Sequence, residues 1–366
     1  MFAGAVDLYG STAAAFRGCD PTIGELLVVR LLGIETSCDD TAAAVVADGR
    51  RVESNVLASQ DEFHQEYGGV VPEIASRKHA ETINAVIESA LARARRTLDD
   101  IDGVAVTCGP GLVGSLVVGV AAAQGIAFAR QLPAYAVNHL HGHLFANYLD
   151  KPDDPGHEPP HPPFLCLIVS GGHTDLIVVE AHDQHRRIGR TIDDAAGEAF
   201  DKVARMLGLG FPGGPRIDEL ARSGNPEAFA FPRGLVRGGG YDFSFSGLKT
   251  AVRYHLDAHP DDATARPADV AASFQAAVVD ALCAKTLRAA RDFEVDTIAL
   301  AGGVSANTAL RAALRERGET VGLRVLVPPL AYCTDNAAMI AAAAFYRGDA
   351  ARVAPEQLQA DPNFAW

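Results

Sequence analysis

The sequence predicts an α/β protein built twice over, with two βα-rich halves around a central cleft. An apolar strand, a turn of small polar residues and a second apolar strand occupy residues 31–34, 36–41 and 42–46. The same layout returns at 164–169, 170–174 and 175–180. Each hairpin opens a stretch of alternating strand and helix patterns. Residues 151–163, rich in Pro, Asp and His, separate the two as the best linker in the chain.

Length and composition agree with this division. At 366 residues the chain is long enough for two domains of about 150 residues each, and 48% hydrophobic with 21% charged is globular usage. Lys and Arg number 32 against 46 Asp and Glu, a net charge of −14, which excludes generic coating of DNA, RNA or anionic membrane. Any nucleic-acid contact then needs a local basic patch or a partner subunit. The closest of the six cysteines are nineteen residues apart, so neither a disulfide framework nor a zinc-finger spacing is present. The first residues lack a basic segment and Asp7 interrupts their apolar run, unlike a signal peptide. A reduced, cytoplasmic, soluble protein is expected.

The elements follow in order. Residues 1–29 have little periodicity and read as an N-terminal extension. The first subdomain is expected over 30–160, with strands at 51–58, 104–107 and 134–138 and a long helix over 73–96, where Ile74, Ile83, Val86, Ile87 and Leu91 keep helical spacing. Residues 111–129 carry no charge over nineteen positions, long enough to span a bilayer. They follow a Gly-Pro-Gly turn and are diluted by four glycines, Ser115 and Gln124, so a helix buried against a sheet is expected instead. The second subdomain is expected over 161–347, with a helical, glycine-rich insertion at about 193–260 read as a decoration near the cleft. A strand at 297–300 leads through Gly302-Gly303 to a helix, Pro328-Pro329 breaks the chain, and Asp335-Asn336 starts the last helix, which is expected to pack back on the first half. Residues 348–366 form a C-terminal tail.

His139 and His143 stand i, i+4, so on a helix both imidazoles leave one face and reach one metal ion. Leu140 holds the place that a zinc protease needs for its general-base Glu, which disfavours that chemistry. Three turns, 37–41, 170–174 and 302–307, are rich in small residues and suited to cradle phosphate. The last runs into a helix N-terminus whose dipole favours an anion. None matches a Walker or Rossmann fingerprint. Asp39 and Asp40 follow Cys38 directly; they are better placed to accept or orient a proton than Cys38 is to act as a nucleophile, with turn capping the alternative. Asp201 stands early on an amphipathic helix and Asp218 follows the Gly213-Gly214-Pro215 turn; for either, a solvated helix charge is the plain reading.

Together these blocks resemble one family, the tRNA N6-adenosine threonylcarbamoyltransferases (TsaD, the glycoprotease or O-sialoglycoprotein endopeptidase family). The matching stretches are GIETSCDDTAAAVV from Gly33, VNHLHGHLFA from Val137, VSGGHT from Val169, DDAAGEAFDKVARMLGLGFPGGPRID from Asp193, FSFSGLKTAV from Phe243, AGGVSANTALR from Ala301 and CTDNAAMIA from Cys333. The resemblance runs over about 31–347. It implies an actin-like, sugar-kinase/Hsp70-type (ASKHA) duplicated fold and one divalent metal, iron or else zinc, on His139, His143 and Asp335. It implies substrate contacts from Ile168, Val169, Ser170, Gly171, Gly172, Asp201, Gly214, Asp218 and Asn307, with the Ser170 turn and Asn307 facing each other across the cleft. The implied reaction moves a threonylcarbamoyl group from threonylcarbamoyl-adenylate to N6 of tRNA adenosine 37, releasing AMP. The implied partners are a paralogous actin-like subunit and a small ATPase, with no membrane and no DNA. Asp40 stands where bacterial members more often carry Glu. Ile168 replaces a tyrosine ligand of archaeal and eukaryotic members, which indicates the bacterial or mitochondrial type with an open coordination position. A small-molecule kinase of the same fold would not need the His pair with Asp335, and a silent scaffold would be expected to lose it. Arg216, Arg222, Arg233, Arg237, Lys249 and Arg253 are expected to form a basic rim for tRNA.

Overall fold

β1 (Arg30–Glu35) is buried along all but its first residue and apolar from Leu31 to Ile34, as befits a strand covered on both faces. It pairs antiparallel with β2 (Asp40–Ala47) and parallel with β4 (Gly103–Gly109). In the computed structural model, residues 28–65, 67, 69–151, 157–236 and 238–364 are described. The expected N-terminal extension therefore lies outside them up to residue 27, as do linker residues 152–156 and Arg237.

The chain forms two units. The first comprises Met1–Gln60, Pro72–His157 and Asn336–Trp366, and its sheet runs β11-β5-β4-β1-β2-β3. Here β3 is Arg51–Ser59, β5 Ala134–Asn138 and β11 Arg352–Val353. Helix α1 (Asp61–Gln65) belongs to the other unit. Helix α2 (Pro72–Ala94) turns Ala75, His79, Ile83, Val86, Ile87 and Ala90 inward, one stripe at helical spacing. Helix α3 (Val113–Arg130) packs on α2 and β4, and α4 (His139–Phe145) leaves β5 with every residue buried.

The second unit comprises Asp61–Val71 and Glu158–Asp335, with a sheet in the order β10-β9-β6-β7-β8. These strands are β6 (Phe164–Val169), β7 (Thr174–Ala181), β8 (Gln184–Arg190), β9 (Thr297–Ala301) and β10 (Arg324–Leu326). The order matches β5-β4-β1-β2-β3 of the first sheet, strand for strand. The duplication legible in the two hairpins is thus a duplication of the whole sheet.

Helices α5 (Ala196–Met206), α6 (Gly213–Ala221) and α7 (Ser246–Ala258) arise from the 193–260 insertion. They are no decoration: Phe200, Ile217, Phe243, Phe245, Leu248 and Val252 all join the core of the second unit. Their partner there is α9 (Pro267–Asp292), reached through short α8 (Asp262–Ala265). Helix α10 (Thr308–Thr320) follows β9. The last helix, α11 (Ala337–Arg347), packs on β1, β2 and α4 and buries Ala337 through Tyr346. Gly33 permits this approach, because a Cβ there would overlap the carbonyl oxygen of Ala337.

Candidate metal centre and ligand turns

Asn138 ends β5 and caps α4, its side-chain oxygen accepting from the Leu140 N–H at 2.8 Å. That cap starts the helix at His139 and so sets His139 and His143 one turn apart, with ring centroids 4.7 Å from each other. Asp335 lies one peptide bond ahead of Asn336, the N-cap of α11, whose side chain accepts from the Met339 N–H at 3.0 Å. Ligand atoms of His139, His143 and Asp335 lie within 4.8 Å of one another. Two imidazoles and a carboxylate suit a divalent transition metal and leave coordination positions open, so the donor set fits one metal ion. His141 is buried but stands outside this group.

Glu35, which the sequence reading passed over, lies behind His139. Its Oε2 is 3.0 Å from His139 Nδ1 and accepts the Thr107 hydroxyl at 2.6 Å, while its Oε1 accepts the Ser37 N–H at 2.5 Å. Its one sequence signal is an acidic residue closing an otherwise apolar buried strand. The neighbouring turn is pinned by His79, whose Nε2 lies 3.0 Å from the Cys38 carbonyl and whose Nδ1 lies 2.7 Å from Thr41 Oγ1. A carbonyl only accepts, so Nε2 carries the proton and Nδ1 takes the Thr41 hydroxyl. Asp39 and Asp40 lie between these two anchors and are half-buried.

The remaining expected site residues gather in the second unit. Ile168 and Val169 are fully buried on β6, so their side chains belong to the core and leave only backbone to a ligand. Ser170 opens the turn: its N–H donates to the His173 carbonyl at 2.8 Å and its own carbonyl accepts from Gly197 at 3.2 Å. A Cβ on Gly171, Gly172 or Gly214 would meet open space within 4 Å, the room that a ligand held by backbone needs. Gly302, at φ +85°, lies against the Val169 backbone. Since β6 and β9 are parallel neighbours, the Ser170 turn and Gly302-to-Asn307 leave the same end of one sheet, which corrects the expectation that they face each other across a cleft.

Asp201 accepts the Gly213 N–H at 2.7 Å and so holds the start of α6. Burial pushes its carboxyl above the usual range, opposed by the Gly213 and Gly214 amides. Asp218 accepts the Thr308 N–H at 3.2 Å and its hydroxyl at 2.9 Å. The anion place at the start of α10 is therefore taken by the protein's own carboxylate. Asn307 caps the same helix, accepting from Leu310 at 2.9 Å and donating to buried Gln275 at 2.7 Å.

Most of the expected basic rim is internally neutralised. Lys249 pairs with Asp194 at 2.6 Å, Arg233 with Asp280 at 2.9 Å, Arg222 with Asp218 at 3.6 Å and Arg253 with Asp257 at 4.0 Å. Among the described residues two helices are long and apolar enough to cross a membrane, α9 with 78% of its apolar window buried and α3 with 33%.

The duplicated sheet defines an actin-like fold, and the His-His-Asp group it carries could hold a metal ion. Solved structures agree on the fold. HypF of T. kodakarensis aligns over 88% of this chain and 47% of its own at TM-score 0.57 and 16% identity. Component A of (R)-2-hydroxyglutaryl-CoA dehydratase from Acidaminococcus fermentans aligns over 87% and 97% at TM-score 0.51 and 17% identity. The family model of tRNA N6-adenosine threonylcarbamoyltransferase matches residues 51–342. Curated proteins of that description include one from Symbiobacterium thermophilum, 56% identical over 86% of this chain and 91% of its own, and one from Clostridium botulinum (strain Kyoto), 49% identical over 92% and 97%. The chain belongs to the tRNA N6-adenosine threonylcarbamoyltransferase family, an enzyme family whose name gives tRNA as substrate.

Proposed function

We propose that this chain transfers the threonylcarbamoyl group from threonylcarbamoyl-adenylate to N6 of adenosine 37 in tRNAs reading codons that begin with adenine. A carbon–nitrogen bond forms at the carbamoyl carbon, its bond to the phosphate oxygen breaks, AMP leaves, and N6 gives up a proton. The observation that carries the reading is the His139, His143 and Asp335 group, whose ligand atoms lie within 4.8 Å in a chain of this family. These residues would hold iron, or else zinc, and the metal when bound supplies Lewis acidity toward the developing charge. Backbone of Ser170-Gly171-Gly172 and Gly214 binds the adenylate where side chains are absent. Asp201, Asp218 and Asn307 hold the helix starts around that turn and orient the ligand. Asp39 or Asp40, on the turn pinned by His79, takes the N6 proton.

The same reading places the chain in the cytoplasm beside a paralogous actin-like subunit and a small ATPase. Val113, Val117 and Phe128 of α3, each at least 50% exposed, give such a subunit an apolar strip to cover. Reconstitution with threonylcarbamoyl-adenylate, unmodified tRNA and both subunits, read by nucleoside mass spectrometry, tests the proposal. Modified adenosine is expected with the native chain and lost with His143→Ala. No product from the complete, metal-loaded system would overturn it.

A further inference from the structure

This inference rests on the reading of His139 as a metal ligand. We propose that Glu35 is the positioning residue that readies His139 for the metal, by holding the proton on Nδ1 and turning the Nε2 lone pair toward the ion. Glu35 closes β1 and is fully buried, with Oε2 3.0 Å from His139 Nδ1. Both Glu35 oxygens already accept, Oε1 from the Ser37 N–H and Oε2 from the Thr107 hydroxyl, so Glu35 is the acceptor of this contact too: Nδ1 carries the proton and the ring lone pair is on Nε2. Ser37 Oγ, 3.1 Å from the same nitrogen, shares that proton and adds a second restraint on the ring.

The carboxylate is itself held still. Thr107 on β4 donates its hydroxyl to Oε2 at 2.6 Å, and the Ser37 amide donates to Oε1 at 2.5 Å. Both supports come from the central strand β4 and the turn after β1, and the strand pair places Ile34 beside Val106 in parallel register. A ligand imidazole backed by a fixed carboxylate gains basicity and a defined ring plane, and loss of such a partner typically costs 10–100-fold in metal affinity. The rival account is that Glu35 only stitches β1, β4 and α4 together. That role would lower stability without touching the affinity of folded protein for metal.

The test uses the purified full-length chain and Co²⁺ alone, titrated in competition with a chromophoric chelator. Its variants are Glu35→Ala, Glu35→Gln, Thr107→Val and His139→Ala, and melting temperature is read with and without metal. Glu35→Ala should weaken Co²⁺ binding by about 10–100-fold. Glu35→Gln keeps a carbonyl acceptor for Nδ1–H, so it should lose less and shift the visible Co²⁺ bands. Thr107→Val should fall between Glu35→Gln and the native chain. If Glu35→Ala does not fold, the isosteric Gln variant decides: native affinity with native bands overturns the proposal. The proposal also fails if Glu35→Ala lowers the metal-free melting temperature while Co²⁺ affinity stays within about two-fold of native, well short of the smallest effect expected. Native affinity in His139→Ala would instead remove the ligand reading on which the proposal stands.

Discussion

Substituting Gly33→Ala tests whether the metal centre depends on how closely α11 sits on β1. The added Cβ would overlap the Ala337 carbonyl oxygen and stand 3.1 Å from the Ala341 nitrogen. Both neighbours are helix backbone, which cannot rotate aside as a side-chain end can. Restoring van der Waals contact moves the start of α11 by about 1 Å, and overpacking of this kind costs about 1–3 kcal/mol. Ala337 is the first residue of α11, so the displacement is largest two residues after Asp335. His139 and His143 ride on α4, which packs against the same helix, and Gly142 itself faces Met339 and Ile340. Thermal unfolding followed by calorimetry, with Co²⁺ affinity measured on the folded protein, reads both consequences. Melting temperature should fall by several degrees and metal affinity should fall with it. Native stability would refute the packing reasoning. Lowered stability with native metal affinity would refute the link between α11 and the centre.

Three further outcomes are expected. Asp175, buried on β7, has its carboxyl pushed up to about 6 by burial, with Arg187 and Arg190 acting the other way. The native state then holds its proton where the unfolded chain has released it, so stability is lost as pH rises from about 4 to 6, and Asp175→Asn should raise the melting temperature at pH 8 by an amount worth roughly 2–3 kcal/mol and far less near pH 4. An equal effect at both pH values would contradict this sign. Gly172→Val fills open space at the Ser170 turn, so it should weaken binding of a non-hydrolysable adenylate analogue at least about ten-fold, 1.4 kcal/mol, while leaving the melting temperature near native; unchanged affinity places the adenylate elsewhere. For tRNA, Arg222 and Arg253 are the informative pair, since their side chains are 63% and 58% exposed. Reversing both to Glu should weaken tRNA binding and lower the salt slope by about 0.9 for each phosphate no longer neutralised, and an unchanged slope removes this rim from the tRNA path.

How much of this was legible in the sequence depended on whether a residue's role was local. The i, i+4 His pair needs only a helix, and Asn138 supplies its cap, so the ligand face followed from spacing. The hairpins announced themselves through apolar alternation and small turn residues. Helix α9 did not, because sixteen of its residues are buried on all sides and no polar face marks its period. Strand β8 was hidden for the opposite reason: QHRRIGR is an edge strand, where charged side chains are tolerated and apolar ones are not required. Glu35 and the basic rim share a third cause. Their meaning is set by partners far along the chain, His139 for Glu35, Asp194 for Lys249 and Asp280 for Arg233, and no local pattern encodes such pairings.

On the function proposed here, one duplicated sheet serves two kinds of chemistry. β1 and β6 occupy equivalent places, each the third member of the shared five-strand order, and each ends in a turn of small residues before an antiparallel return strand. After β1 the turn is filled: Glu35 and Ser37 point inward to His139, and Thr41 to His79. A filled turn fixes side chains, which is what a metal ligand's orientation requires. After β6 the same place carries Ser170-Gly171-Gly172, with open space where side chains would be. An open turn exposes backbone N–H groups, which suits an anionic ligand. On the proposed function, the difference between holding a metal ligand and receiving a nucleotide would come down to whether the residues after the strand bring side chains or leave them out.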